Sequence, residues 1–572
     1  MRYLTSCTSI DPGYPQGAPL HNSPVGVPRL AVFLCGGNPR IKTPLVGTLK
    51  SMLLLYLLVR YGLRLTHPTS DFHPELTLTM KIETPTWVKH AVFYQIFPDR
   101  FVISQEPRKR LLKNPTWEDW SAPPTQQGYK GGDLWGVIDK LDYLQELGIN
   151  AIYFTPIFQS TSNHRYHTHD YYQVDPLLGG NKAFAQLLEQ AHQRDIKVVL
   201  DGVFNHASRG FFFFSDILEN GPNSPWLDWF KIQDWPLSAY DGDRPANYEG
   251  WVDNRALPVF NHDNPDVKEY IMEIAEHWIK MGVDGWRLDV PFEIKTEGFW
   301  QEFRDRVKAI NPEAYIVGEV WTDARQWLDG TQFDGVMNYL FTGPTIAFAA
   351  GDRVVMDYVQ SPSYEPYPPL SAPAYAAKIQ AVLDLYPWEI QLTQLNLLAS
   401  HDTARLMSIA QSDRASVELS TLLLLTFPGA ASIYYGDEVG LAGAIDPDSR
   451  RGFPPESDWD LELLSYHRQL IALRHAHPAL RIGTYRSIYA EGSAYVFVRT
   501  LDEVEILIAV NVGTESLKVS LDLADVGLKT RRPERQLFGT AELSWKQDEA
   551  AHLTIDLAAR SGCIFTSVKL KS

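Results

Sequence analysis

Val283-Asp284-Gly285-Trp286-Arg287-Leu288-Asp289-Val290 reads as a buried strand whose last residues ought to be apolar, yet an arginine and an aspartate stand two apart at its end. Side chains alternate along a strand, so Arg287 and Asp289 share one face. Burying such a pair costs desolvation, which leaves two readings: a structural ion pair or a piece of chemistry. The design recurs in Ile316-Val317-Gly318-Glu319-Val320-Trp321 and in Leu397-Leu398-Ala399-Ser400-His401-Asp402. Three apolar strands, each ending in a carboxylate, predict a site.

Working outward from these strands, short apolar runs alternate with amphipathic stretches, the sign of a parallel sheet with crossover helices. Strands are predicted at 91–98, 149–158, 196–205, 283–290, 314–321, 335–339, 395–402 and 432–440, with helices at 135–147, 182–194, 266–281 and 300–310. Eight such units predict a (β/α)8 barrel over residues 87–480, carrying an aromatic and Pro/Gly-rich excursion at 208–262 after the third strand. Polar residues gather at strand C-terminal ends (Asp201, Asn205 and His206; Arg287 and Asp289; Glu319; His401 and Asp402), the face on which barrel sites form. From about residue 481 to 572 the pattern becomes short alternating strands, which predicts a C-terminal antiparallel β-sandwich.

The totals exclude some function classes. At 572 residues the chain exceeds one ordinary domain, and its 45% hydrophobic and 21% charged residues are those of a globular protein. A net charge of −17 argues against nucleic acid and other anionic partners. Three cysteines, Cys7, Cys35 and Cys563, give neither a disulfide framework nor metal-ligand spacing. Sixteen Trp, 27 Tyr and 26 Phe would suit flat apolar ligand faces such as sugar rings.

Residues 1–86 form an irregular extension. Positions 1–79 carry a formal charge of +4 against −21 for the remainder, and their apolar run 52–59 is shorter than the roughly 20 residues a membrane span needs. Met80 is the expected native start, with a cytoplasmic location and no membrane association.

Two carboxyl groups across a glycosidic bond can act as nucleophile and general acid. Asp289 beside Arg287 suits an ionised nucleophile, and Glu319 beside Val320 and Trp321 suits an acid that keeps its proton. Asp402 would bind sugar hydroxyls and favour ring distortion.

Four ordered segments, Asp201-Gly202-Val203-Phe204-Asn205-His206, Gly285-Trp286-Arg287-Leu288-Asp289, Gly318-Glu319-Val320 and Ser400-His401-Asp402, resemble the conserved regions of the α-amylase family, glycoside hydrolase family 13. Tyr94-Gln95-Ile96-Phe97-Pro98-Asp99-Arg100-Phe101, Gly131-Gly132-Asp133-Leu134, Ser162-Asn163-His164-Arg165-Tyr166 and Tyr434-Tyr435-Gly436-Asp437-Glu438 are similar to its neopullulanase, cyclomaltodextrinase and maltogenic amylase branch. The resemblance implies Asp289 as nucleophile, Glu319 as acid/base and Asp402 as transition-state stabiliser. It further implies that His206, Arg287 and His401 bind the sugar at the cleavage point, that Tyr166 stacks on it, and that Asp446 and Arg450 flank it.

The chain departs from that pattern in four places. Residues 1–86 are too short for the branch's N-terminal β-sandwich, so a homodimer would use another surface. Val102-Ile103-Ser104-Gln105-Glu106-Pro107-Arg108-Lys109-Arg110 replaces an Asn/Asp-rich calcium loop; basic residues do not ligate a hard cation, so no calcium or other cofactor is expected there. Val290-Pro291-Phe292-Glu293 stands where Val-Ala-Asn-Glu is usual; it keeps the acidic residue the branch associates with mixed α-1,4 and α-1,6 preference. Leu257-Pro258-Val259-Phe260-Asn261 lacks the usual lysine.

The expectation is a retaining hydrolase of short or branched maltooligosaccharides, cyclodextrins or pullulan, with transglycosylation to acceptor sugars. The rival readings are an α-glucosyl transferase or isomerase of the same family, and a non-catalytic sugar-binding barrel. Retention of all three carboxylates argues against the second rival.

Overall fold

The computed structural model describes residues 82–104, 116–361, 364–365, 368–522, 525–528, 535–547 and 551–566. The expectations for residues 1–79, and for most of the 102–110 loop, lie outside them.

Eight parallel strands, β1 (Val92–Ile96), β2 (Ala151–Phe154), β3 (Lys197–Gly202), β4 (Gly285–Leu288), β5 (Tyr315–Gly318), β6 (Gly335–Val336), β7 (Leu395–Leu397) and β8 (Ala430–Tyr434), pair in the order β6-β5-β4-β3-β2-β1-β8-β7. A parallel bridge between Met337 and Leu395 joins the two ends of that order, so the sheet closes into a barrel. The strands are shorter than their apolar runs. Asp289, Glu319, His401 and Asp402 lie just beyond β4, β5 and β7, in the loops that a (β/α)8 barrel gathers at its C-terminal rim.

Period two decides what faces inward. Phe93, Ala151, Tyr153, Val199, Tyr315, Val317, Leu395 and Leu397 fill the barrel interior together with Met337 and Tyr339. Their strand neighbours, such as Tyr94, Ile152, Leu200, Trp286 and Ile316, pack outward against the helices. Toward the rim the inward positions turn polar: Gln95 on β1, Asp201 on β3 and Arg287 on β4, with Asp201 directly opposite Arg287 across the strand pair. Gly285 is required here, because a Cβ on it would lie 2.3 Å from the Tyr315 carbonyl oxygen of β5. Asp284, one residue earlier, is structural. It accepts from His192 Nε2 at 2.7 Å, Lys197 Nζ at 2.9 Å and the Val198 amide at 2.9 Å, which together hold its carboxyl below the usual range against the effect of burial.

The helix expected at 135–147 is two helices, α1 (Leu134–Asp139) and α2 (Leu141–Leu147), interrupted at Lys140 with φ −107° and ψ 6°. Lys140 lies over the rings of Tyr143 and Trp459, at 5.7 Å from each, an attraction available only in the folded chain. The helix α3 (Gly180–His192) packs against β3 and α1. Pro265–Lys280, α4, begins at an Asn264 cap with proline in its first turn. Phe299–Ile310, α5, packs beside α4. No helix among the described residues is long and apolar enough to cross a membrane.

The C-terminal unit is two antiparallel sheets. Thr484–Glu491, Ala494–Leu501, Val504–Asn511, Arg535–Phe538 and Ser561–Thr566 form one, and Leu517–Asp522, Glu542–Gln547 and Ala551–Leu557 the other. Val496, Val498, Leu507 and Phe565 of the first meet Val519, Leu521, Leu553 and Ile555 of the second in one core. The opposite face of the larger sheet carries Tyr495 and Phe497, which join the barrel core beside Tyr375 and Phe348.

Below the rim, Glu438 is fully buried, accepting the hydroxyls of Tyr94 at 2.8 Å and Tyr143 at 2.6 Å and the Gly436 amide at 3.0 Å. Burial raises its pKa, outweighing these donors. The folded value thus exceeds the unfolded one of about 4.5, so the native state binds more protons than the unfolded state between the two. Stability from this group is fully present below about pH 4.5 and is lost as pH rises through the folded value. Glu438→Gln is expected to narrow the difference in Tm between about pH 5 and about pH 8, measured by thermal denaturation; an unchanged difference would remove Glu438 as its source.

Candidate active site

The rim of the barrel assembles its polar side chains around Arg287. Arg287 is completely buried, and its Nη1 donates to both Asp201 oxygens, at 3.0 and 3.1 Å, and to Asp289 Oδ1 at 2.9 Å. Its Nη2 lies 2.9 Å from Glu319 Oε1 but off the donor axis, so it supplies charge there rather than a directed hydrogen bond. One guanidinium on β4 therefore faces carboxylates from β3, β4 and β5. The strand register brings them there, with Asp201 opposite Arg287 and Val317, two residues before Glu319, opposite Arg287 on the other side.

Glu319 receives two further donors. Trp321 Nε1 donates to Oε1 at 3.2 Å, its indole stacked on Tyr339 at 3.8 Å. The Val290 amide donates to Oε2 at 3.2 Å. That amide is aimed by an unusual backbone: Val290 has φ 35° and ψ 50°, although it is β-branched and precedes a proline. The turn is pinned by Trp300, whose Nε1 donates to the Pro291 carbonyl at 3.0 Å.

Asp402 lies 3.2 Å from His401 Nε2 and accepts from Arg450 Nη2 at 3.4 Å, while Arg450 Nη1 pairs with Asp446 Oδ1 at 3.0 Å. Tyr166, from the loop after β2, donates to Asp201 Oδ2 at 3.0 Å, meets His401 Nε2 at 2.5 Å and stacks on that imidazole with rings 3° from parallel. His206 stacks on Trp251 of the excursion, with centroids 5.1 Å apart, and its buried Nε2 has no hydrogen-bond partner. A buried imidazole nitrogen at the rim is thus left with its hydrogen-bonding capacity unused.

The electrostatics follow from crowding. Burial, with the neighbouring carboxylates, pushes Asp289 well up, raises Glu319 and takes Asp201 to about 6, and burial alone raises Asp402. Arg287 opposes each of these shifts, as the strand-face argument expects, yet burial outweighs it. Carboxyls this close titrate as a set rather than residue by residue. The two histidines go the other way: burial brings His206 down to about 3 and His401 well below its usual value, so both are neutral.

Of the residues read from the sequence, the structure brings Asp289, Glu319, Asp402, Arg287, His401, Tyr166, Asp446 and Arg450 into one connected network. His206 lies beside the Tyr166 main chain. Glu293 stands apart: it lines a neighbouring polar cavity of about 230 Å³ with Asn205, Lys231, Trp251, His262 and Lys295. Gln95, Tyr153 and Trp251 join the site without having been read from the sequence, and Asp201, read there as a rim residue without a role, joins it through Arg287. For Gln95 and Asp201 the signal existed, each being a polar residue at an inward position near the C-terminal end of its strand. For Trp251 none did, because only the fold returns the excursion to His206. Among the described residues no group of three or more His, Cys, Asp or Glu could hold a metal ion.

Residues 95–460 match the model of the alpha amylase catalytic domain, and residues 483–565 that of the alpha-amylase C-terminal domain. The crystal structure of a debranching enzyme from Nostoc punctiforme superimposes with a TM-score of 0.80 at 71% sequence identity, covering 85% of this chain and 100% of that one. Neopullulanase 2 of Thermoactinomyces vulgaris is 42% identical over 456 residues, 78% of this chain and 73% of that protein. The ligand-free cyclic alpha-maltosyl-(1→6)-maltose hydrolase from Arthrobacter globiformis gives a TM-score of 0.74 at 33% identity, over 85% of this chain and 100% of that one.

Proposed function

The chain belongs to the α-amylase family, and from that premise we propose that it is a retaining α-glucan hydrolase whose preferred reaction removes α-1,6-linked branches from maltooligosaccharides. The observation that carries the preference is the 71% identity, over the full length of the other chain, to a protein named a debranching enzyme. The altered wall Pro291-Phe292 beside the retained Glu293 agrees with it.

In this reading Asp289 attacks the anomeric carbon of the bound glucosyl unit while Glu319 gives its proton to the departing glycosidic oxygen. The C–O bond breaks and a covalent glycosyl ester forms on Asp289. Glu319, now a carboxylate stabilised by the Val290 amide, the Trp321 indole and the Arg287 charge, takes a proton from water. That water attacks the anomeric carbon from the face the first product vacated, and Asp289 leaves ionised beside Arg287. His206 Nε2 and the Asp402–His401 pair bind hydroxyls of the distorted ring. A sugar hydroxyl in place of that water gives transglycosylation.

A product profile tests the reading on β-cyclodextrin, pullulan and a maltosyl-branched maltoheptaose. The expected result is release of maltose from the branch well ahead of ring opening or cleavage of the α-1,4 chain. Linear maltooligosaccharides formed first from the ring would make the protein a cyclomaltodextrinase in action and refute the branch preference.

A further inference from the structure

We infer that Gln95 is a positioning residue that fixes the tautomer of His401, holding its proton on Nε2 toward Asp402. Gln95 is fully buried on β1, opposite Tyr153 of β2 and Tyr434 of β8, and its side chain meets His401 Nδ1 at 2.9 Å. Which way that hydrogen bond runs is decided at the other side of the ring. His401 Nε2 faces Asp402 Oδ2 at 3.2 Å and the Tyr166 hydroxyl at 2.5 Å. Asp402, beside the Arg450 guanidinium, faces Nε2 through its charge rather than through a directed hydrogen bond, and as a carboxylate it can only accept. The Tyr166 hydroxyl has one hydrogen, directed to Asp201 Oδ2, so toward His401 it presents a lone pair. Both neighbours of Nε2 therefore require N–H there.

An imidazole buried between the Arg450 and Arg287 charges is neutral and has one proton. With that proton on Nε2, Nδ1 is a lone pair, and only the amide N–H of Gln95 satisfies it. The opposite amide orientation would place Gln95 Oε1 against Nδ1. It would demand either a second ring proton, disfavoured by burial and the two guanidiniums, or a reversed tautomer with an Nε2 lone pair against Asp402. The groups facing His401 thus form one directed chain, Gln95 to His401 to Tyr166 to Asp201, with the Asp402 charge beside Nε2. A carboxamide is the side chain of this length that can start it: a carboxylate there would run the chain backwards.

This inference rests on the reading of Asp402 and His401 as sugar-binding groups for its effect on turnover, but not for the tautomer itself. Two substitutions separate direction from packing. Gln95→Glu keeps shape and offers only acceptors, so it forces a proton onto Nδ1; Gln95→Met keeps approximate volume and leaves Nδ1 unpaired. The expected loss of kcat is about 10²-fold for Gln95→Glu and nearer tenfold for Gln95→Met, with KM changing less. A purely structural role predicts the reverse order, since glutamate conserves the shape and a hydrogen bond. Histidine-selective 15N NMR on the full chain, with His401→Gln to assign the signal, reads the tautomer independently of activity. The wild type should show His401 protonated on Nε2 only, Gln95→Glu on both nitrogens, and Gln95→Met a mixture. A wild-type ring protonated on Nδ1, or Gln95→Met as slow as Gln95→Glu or slower, overturns the inference. Were the branch preference wrong, the NMR result would stand.

Discussion

Replacing Glu319 by glutamine is expected to lower kcat on an unactivated maltooligosaccharide by roughly 10²- to 10⁴-fold, the range a general acid commands. The amide keeps the shape that Trp321 and the Val290 amide hold at 3.2 Å each, but it has no proton to give. An aryl α-glucoside with a good leaving group separates this role from that of Asp289. With such a substrate the first step needs no acid, so Glu319→Gln should form the glycosyl ester and stall before hydrolysis. Added azide needs no general base; it would attack that ester and release an α-glycosyl azide. Asp289→Ala should be inactive on either substrate, and azide occupying the vacated carboxylate position would attack the substrate itself and give the β-azide. The two anomers assign the two residues from opposite faces of the sugar. Equal turnover by wild type and Glu319→Gln, or the β-azide from Glu319→Gln, would refute the assignment.

Much of this arrangement is legible in the sequence because two periodicities carry it. Period two along 283–290 puts Arg287 and Asp289 on one face, and the barrel places that face at the rim. The alternation of apolar strands with amphipathic helices gives the barrel because each strand must bury both faces, one on the interior and one on the helix ring. What a single strand does not reveal is its register with its neighbours. Asp201 lies directly opposite Arg287 only once β3 and β4 pair, which makes it the carboxylate Arg287 grips with two hydrogen bonds. Backbone conformation is equally silent in the sequence: nothing in Asp289-Val290-Pro291 announces a left-handed valine that turns its amide onto Glu319. The interruption at Lys140 belongs to the same class, since Ile138-Asp139-Lys140-Leu141 contains no helix breaker and the aromatic rings that receive Lys140 come partly from residue 459. Local pattern reports which way a side chain points; pairing and backbone strain decide what it meets there.

Arg287→Leu is expected to be the most damaging single change to stability within the site, and its cost should depend on pH. Removing one partner of a buried ion pair typically costs about 3–5 kcal/mol, because the other charge stays buried and unpaired. Here three carboxyl groups, Asp201, Asp289 and Glu319, lose the same cation. Each is already raised by burial, and each has its pKa lowered by Arg287, so without it all three rise further. The native variant then retains protons that the unfolded chain releases above about pH 4 to 4.5, and stability falls as pH rises wherever the native state binds the excess. At about pH 3 the carboxyls are largely neutral in both states and the substitution should cost little, or even relieve the desolvation of a buried guanidinium. By about pH 8 the full cost should appear, as a fall in Tm several times larger than at low pH. Arg287→Lys should lie between the two, because a single ammonium restores the charge but cannot direct hydrogen bonds to Asp201 and Asp289 while facing Glu319. A loss of Tm independent of pH would mean that Arg287 acts through packing alone. The site's proton economy would then have to be carried by Arg450 and the hydrogen bonds of Tyr153 and Tyr166 to Asp201, none of which reaches Asp289.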